Sequence, residues 1–325
     1  MKRRNFIALV GGAVAWPLVA RAQQATKPPT VGFLFPGPRV AMLARVHVML
    51  NGLHAVDQGA SPQVELVLRA SDGDPTRIAP LAAEILKSKV DVILVSGPQV
   101  LQAFRSVTTT IPIVAVDFES DAVGSGIVAS VARPGGNVTG VFFDFRNFAA
   151  KWIELLKEIS PQLSRVAVLW NPDGGPMQMK AVEQAAGLLA IQIDVLEVRT
   201  RSDFEGAFTS ATGLRADAVV MLSDALIGPN VQTLADLAAR HRLPAITLYP
   251  DFARAGGLLA YGPDILDAYQ QAGTMIGKVP KGAKPAELPI EVPTKFPLVV
   301  NLRTARSLGL SIPTAILLRA DEVIE

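Results

Sequence analysis

Short runs of apolar and β-branched residues alternate with longer stretches of helical period along most of this chain. Val31–Phe35, Val64–Arg69, Val90–Val95 and Ile111–Val116 read as strands, and so do Arg165–Trp170, Ile191–Val198, Ala216–Leu222, Leu243–Leu248 and Phe296–Val300. Several are apolar without interruption, as in Val92-Ile93-Leu94-Val95 and Val219-Val220-Met221-Leu222. Unbroken apolarity means that both faces are covered, the mark of parallel strands lying under helices. Between them, Arg39–Val56, Pro75–Lys87, Asn147–Ile159, Met177–Leu189, Asp203–Thr212, Val231–Arg240 and Asp264–Gly277 read as helices. In Pro75–Lys87 the apolar Ile78, Leu81, Ala82, Ile85 and Leu86 form one stripe, and Asp74-Pro75 supplies the N-cap and the first helical residue.

This alternation predicts an α/β fold with right-handed crossovers. The pattern occurs twice, from Val31 to Val116 and again from Lys151 to Leu248, with a pause at Pro134-Gly135-Gly136-Asn137. Two Rossmann-like, doubly wound lobes with parallel sheets fit that break, whereas a TIM barrel would need eight evenly spaced units. A second glycine-rich point, Gly256 to Pro263, and the Pro/Lys-rich stretch Lys278–Pro293 look like further crossings between the lobes. The expected division is residues 30–138 with 261–290 in one lobe and 139–260 with 291–325 in the other. Two lobes joined by several crossings imply a cleft that opens and closes.

The N-terminus has a different character. Lys2-Arg3-Arg4 is a positive n-region, Phe6 to Val19 is an apolar run of fourteen residues, and Ala20-Arg21-Ala22 offers small residues for cleavage after Ala22. The run is too short for a stable span of about 20 residues. Residues 1–22 are therefore expected to be a signal peptide that sends the protein to the periplasm. Arg3-Arg4-Asn5-Phe6-Ile7 resembles the twin-arginine export signal, and an ordinary Sec signal is the alternative.

Removal of that segment changes the charge. The whole chain of 325 residues has a formal net charge of +2, but Lys2, Arg3, Arg4 and Arg21 all lie in the leader, so the mature chain carries 27 basic and 29 acidic residues. That balance does not describe a nucleic-acid binder. With 50% hydrophobic and 18% charged residues the chain is not disordered, and with no cysteine it has no thiolate metal site, iron–sulfur cluster or thiol nucleophile. The histidines, His47, His54 and His241, are too few and too scattered for a metal site.

Catalytic patterns are missing. There is no Gly-x-Ser-x-Gly elbow, no His-Glu-x-x-His and no Walker sequence. Gly124 to Ala129 fits the dinucleotide fingerprint in letters only, because it does not follow the first strand directly. Neither a cofactor nor a metal is expected. Asn137-Val138-Thr139 matches a glycosylation acceptor, a coincidence in a chain with a bacterial type of leader.

In open α/β sheets ligands bind beyond the carboxyl ends of the strands. Those ends carry Phe35-Pro36-Gly37, Ser71-Asp72, Ser96-Gly97-Pro98 and Asp117-Phe118-Glu119 in the first half. Phe142-Phe143-Asp144, Asn171-Pro172-Asp173, Ser223-Asp224 and Tyr249-Pro250-Asp251 are assigned to the second. Hydroxyls, amides, carboxylates and aromatic rings of this kind suit a small polar or zwitterionic molecule, although about half of such Ser, Asn and Asp residues are expected to be helix caps.

Several long motifs now come together: RNFIALVGG with ARAQQ, GSGIVASVARPGGNVTG from Gly124, SRVAVLWNP from Ser164, AARHRLP from Ala238, GGLLAYGPD from Gly256, Pro293 to Gly309 and LLRADEVIE from Leu317. With these the chain resembles the substrate-binding proteins of ABC importers, specifically the family that includes the tryptophan/tyrosine-type binding proteins. The resemblance implies a type I periplasmic-binding-protein fold, with three crossovers and a small organic solute, such as an amino acid or an aromatic compound, held in the cleft. It also implies an ABC permease and its ATPase subunit as partners. The chain departs from the family where Phe35-Pro36-Gly37-Pro38 replaces Ser/Thr-rich residues, where Ser120-Asp121-Ala122 replaces Gly-Asp-Pro, and in the shorter stretch from Gln58 to Leu68.

The solute contacts expected from these readings are Asp72, Ser96, Asp117, Asp121, Asn171, Ser223 and Tyr249, with Phe35 and Tyr261 as stacking walls. The expected function is capture of a solute by lobe closure for delivery to the permease. The alternatives are a binding protein that presents its closed form to a membrane receptor, and an exported α/β enzyme.

Overall fold

The uninterrupted apolar runs become the centres of two sheets. The computed structural model describes residues 28–56, 63–117, 119–143, 145–174 and 176–325; residues 1–22, expected to be a signal peptide, lie outside them. The first lobe is built from β1 (Thr30–Phe35), α1 (Arg39–Val56), β2 (Glu65–Ala70), α2 (Ile78–Lys87), β3 (Val92–Ser96), α3 (Pro98–Arg105), β4 (Ile113–Asp117) and β5 (Val138–Phe142). The second begins with α4 (Phe145–Ile159), β6 (Arg165–Trp170), α5 (Met177–Leu188), β7 (Gln192–Glu197) and α6 (Asp203–Gly213). It continues with β8 (Ala218–Met221), α7 (Val231–Arg240), β9 (Ala245–Thr247), α8 (Pro250–Arg254) and β10 (Leu259–Tyr261). The chain then returns to the first lobe for α9 (Ile265–Lys278). It ends in the second with β11 (Leu298–Asn301), α10 (Leu302–Leu308), α11 (Thr314–Leu317) and β12 (Glu322–Ile324).

The first sheet has the order β2-β1-β3-β4-β5 and the second β12-β11-β10-β9-β8-β6-β7. The series β7-β6-β8-β9-β10 repeats β2-β1-β3-β4-β5 strand for strand, so the doubled sequence pattern is a doubled topology. Strands β1, β3, β4 and β5 are buried along their whole length, whereas the edge strands β2 and β7 are half-exposed. The pairings are parallel except for β10 with β11, where the chain comes back from the first lobe and enters the second sheet the other way round. This antiparallel pair qualifies the expectation of parallel sheets.

Strand β5 pairs with β4, from Ile113 opposite Val138 to Asp117 opposite Phe142. It therefore belongs to the first sheet, and the sequence division at residue 138 falls at its start rather than beyond its end. Phe142-Phe143 accordingly closes the first sheet instead of the second. The element was hidden in the sequence because Thr139 and Gly140 interrupt its apolar run. Helix α3 was also not anticipated, since eight residues in the 16-residue gap between two strands leave little room for a periodic stripe.

The chain passes between the sheets three times, after β5, after β10 and between residues 291 and 298, where Glu291 still bridges to Val141 of β5. Helix α4 secures this region: the Trp152 indole N–H donates to the Tyr261 carbonyl at 2.6 Å. Helix α9 lies on α1 so closely that a Cβ on Gly52 would collide with the Gln270 carbonyl and one on Gly273 with the Met49 carbonyl.

A candidate ligand cleft between the lobes

Both sheets turn the carboxyl ends of their strands toward one cleft of about 290 Å³. The loops that line it follow β1, β2, β3 and β4 in the first lobe and β6, β7, β8 and β9 in the second. These include the points at which a doubly wound sheet reverses direction and its loops splay apart. Apolar walls come from Phe35, Pro38, Ile78, Leu226, Pro229 and Tyr249.

Of the residues singled out by sequence, Phe35, Asp72, Ser96, Asn171, Ser223 and Tyr249 line this cleft. The Ser96 hydroxyl meets the Tyr269 hydroxyl at 2.5 Å. Asp72, at the exposed rim, accepts from the Arg39 amide and pairs with Arg77 at 3.0 Å. Asn171 Oδ1 accepts from the Asp173 amide at 3.1 Å, as a turn cap does.

Asp117, Asp121 and Tyr261 do not line it. The fully buried Asp117 organises the next turn, accepting from the amides of Glu119 and Ser120 at 2.8 and 3.0 Å and from the Ser120 hydroxyl at 2.7 Å. Burial pushes its carboxyl above the ordinary range. Asp121 Oδ1 accepts from the Gly124 amide at 2.8 Å and so shapes the turns of residues 122–126, the segment that imitates a dinucleotide loop. Tyr261 sits at a crossover, its ring 6.2 Å from that of Phe296. Asp117 follows a strand, Asp121 rests on the family resemblance and Tyr261 on the glycine-rich segment; the two aspartates each tie their own turn, and Tyr261 ends β10.

The turn built by Asp117 presents Glu119 to the other lobe. Glu119 Oε2 accepts from the Met177 amide at 2.9 Å and Oε1 accepts from the Gln178 side-chain amide, so a first-lobe carboxylate caps the N-terminus of α5. Helix α5 has no side-chain cap of its own. Gln178 also holds Ser223: its Oε1 accepts from the Ser223 amide at 2.7 Å and from the hydroxyl at 3.0 Å, and its Nε2 donates to the Ser223 carbonyl at 2.7 Å. Burial raises Glu119 to about 8, against the lowering effect of these hydrogen bonds. A second bridge joins the Gln99 amide to the Asp173 carbonyl at 2.5 Å.

Two further charges belong to the lining. Arg45 lies 4.6 Å from the centre of the Phe35 ring and 5.5 Å from that of Tyr269. Asp224 Oδ1 accepts from the amides of Leu226 and Ile227 at 2.9 and 2.7 Å, and burial raises this carboxyl. Sequence reasoning passed over Arg45 and Gln178. A signal existed for both: each is a lone polar residue on an otherwise apolar helix stripe, Arg45 among Met42, Val46 and Met49, and Gln178 among Ala181, Val182 and Ala185.

Residues 38–324 match the model of the family described as ABC transporter substrate binding protein. The chain belongs to this family. Its members are substrate-binding proteins and not enzymes. A tyrosine-binding protein from Clostridioides difficile is 23% identical over 249 residues, 76% of this chain and 71% of that one. Among solved structures, an ABC domain from Streptococcus pneumoniae in complex with L-Trp is 25% identical, with a TM-score of 0.81 over 91% of this chain and 99% of its own. A conserved domain protein from Vibrio cholerae shares the fold at 24% identity and the same TM-score, covering 91% and 100% of the two chains. No described helix is long and apolar enough to cross a membrane. Among the described residues no group of three or more His, Asp or Glu side chains could hold a metal ion.

Proposed function

We propose that this protein is the exported solute receptor of an ABC importer, and that it takes up an amphiphilic organic solute of the amino-acid class between its lobes. One observation carries the reading: both lobes contribute to a cleft in which apolar walls, Phe35, Ile78, Leu226 and Tyr249, stand beside the half-buried charged groups Arg45 and Asp224. An aromatic or aliphatic side chain suits the walls and a charged backbone suits the polar groups. Relatives whose names specify tyrosine or L-Trp support the same class. Solute bound between the lobes favours the closed form by whatever contacts it makes only there, and the closed form is what the permease receives. Delivery from the periplasm agrees with the leader in residues 1–22.

The test is calorimetric titration of the mature protein, from Gln23 onward, with the twenty amino acids and with sugars of similar size, followed by small-angle X-ray scattering with and without the best ligand. Binding of an apolar amino acid with a smaller radius of gyration is the expected result. Binding of sugars alone, or no compaction on binding, sinks the proposal.

A further inference from the structure

We propose that the cleft reads both charges of a zwitterionic solute, with the Arg45 guanidinium against the solute carboxylate and the Asp224 carboxylate against its ammonium. This rests on the solute-receptor reading and assigns its two poles.

Six charged residues line the cleft: Arg45, Asp72, Glu119, Asp173, Arg199 and Asp224. Four of them are already engaged. Asp72 pairs with Arg77 at 3.0 Å, Asp173 pairs with Arg199 at 3.2 Å, and Glu119 accepts from Met177 and Gln178. Arg45 and Asp224 form no ion pair among the described residues. Each also has a buried polar atom with no hydrogen-bond partner there, Arg45 Nε and Asp224 Oδ2. The other two such atoms, His241 Nε2 and Thr247 Oγ1, belong to residues that do not line the cleft.

The two groups come from opposite lobes and are held in fixed orientations. Arg45 donates from Nη1 to the Ala41 carbonyl at 2.8 Å and lies against the rings of Phe35 and Tyr269, with the Tyr269 hydroxyl as a further neighbour, so Nε is the donor left to meet a carboxylate. Asp224 is fixed through Oδ1 by two backbone amides and has the Asn171 side chain beside it, while Oδ2 has no hydrogen-bond partner among the described residues. Tyr249 stands near both: its hydroxyl donates to the Asp224 carbonyl at 3.0 Å, and its acidity responds to the charges of Asp224 and Arg45 in opposite senses. A solute with one charge would leave the opposite half-buried group uncompensated once the lobes close, and an uncharged solute would leave both. A zwitterion supplies each with a counter-charge across the closing lobes.

The experiment is calorimetry of the mature protein at pH 7 with L-tryptophan and L-tyrosine, with tryptamine and tyramine, which lack the carboxylate, and with 3-indolepropionate and 3-(4-hydroxyphenyl)propionate, which lack the ammonium. On the wild type each single-charge analogue is expected to bind about 10- to 100-fold more weakly than its parent amino acid. Arg45→Met should weaken the amino acid by about the same factor and leave tryptamine within about threefold; Asp224→Asn should do so for the amino acid and leave indolepropionate nearly unchanged. The retained analogue shows in each case that the variant is folded. Variants that weaken parent and analogue alike, variants that weaken neither, or the pairing reversed overturn the assignment of poles while leaving the receptor function standing. Silence across all six compounds overturns the assignment of poles, and silence across the twenty amino acids overturns the receptor reading as well.

Discussion

Glu119 of the first lobe accepts a hydrogen bond from the Met177 amide of the second at 2.9 Å, so a helix in one lobe is capped by a residue from the other. The bond satisfies an amide that no residue of α5 satisfies, and it exists only while the lobes keep this arrangement. Replacing a capping group costs about 0.5–2 kcal/mol. Glu119→Ala is therefore expected to weaken solute binding about 2- to 30-fold and to raise the open fraction measured by small-angle scattering. An unchanged affinity would mean that the bond survives opening and is no part of the clasp.

Glu119 also sets a pH dependence with a definite sign. Burial raises its carboxyl from the ordinary 4.5 to about 8 in the native state. Between those values the native protein holds a proton that the unfolded chain releases, so stability declines as pH rises through this window and is lowest above 8. Asp117 and Asp224, also raised by burial, act in the same direction. Glu119→Gln mimics the protonated form and removes only the contribution of Glu119. In urea unfolding from pH 5 to 9 the wild type should lose up to about 1.4 kcal/mol per pH unit relative to this variant. Parallel profiles would remove Glu119 as the source.

The fold was legible in the sequence because unbroken apolar runs such as Val92–Val95 can only be covered on both faces, and because the run–helix alternation repeats. The loops of the site were legible too, since the ends of strands point at the ligand in any such sheet. What strand-end reasoning cannot separate is a side chain that faces the cleft from one that ties its own turn. Asp117 and Asp121 are of the second kind, and their partners, amides two and three residues ahead, are as local as those of any cap. Arg45 and Gln178 escaped for the opposite reason: they project from the middle or start of a helix, far in sequence from the strand ends they join. Their mark was a polar residue on a buried stripe.

Trp152 controls the crossover after β10. Its fully buried ring donates its N–H to the Tyr261 carbonyl at 2.6 Å. Trp152→Phe keeps most of the apolar volume but leaves that carbonyl short of a donor at the junction of the lobes, which costs about 1–3 kcal/mol. Chemical denaturation should show this loss with an unchanged dependence on denaturant. A loss smaller than about 0.5 kcal/mol, the level of an ordinary surface substitution, would mean that water or a neighbour takes over the bond.

The contact of α1 with α9 makes the sharpest demand on residue size. Gly52 and Gly273 face each other's helix backbone, and an added Cβ at either position meets a main-chain carbonyl rather than a movable side chain. In an exposed helix, Gly→Ala stabilises by about 1 kcal/mol. Here the helices must move apart, and overpacking costs about 1–3 kcal/mol. The shift would propagate along α1 to Arg45 and Tyr269, since Arg45 stands two turns before Gly52 and Tyr269 one turn before Gly273. Gly273→Ala is thus expected to lower stability in urea unfolding and also to weaken binding of any solute whose carboxylate meets Arg45, while binding of the decarboxylated analogue falls less. Stabilisation by this substitution would show that the two helices can separate without cost.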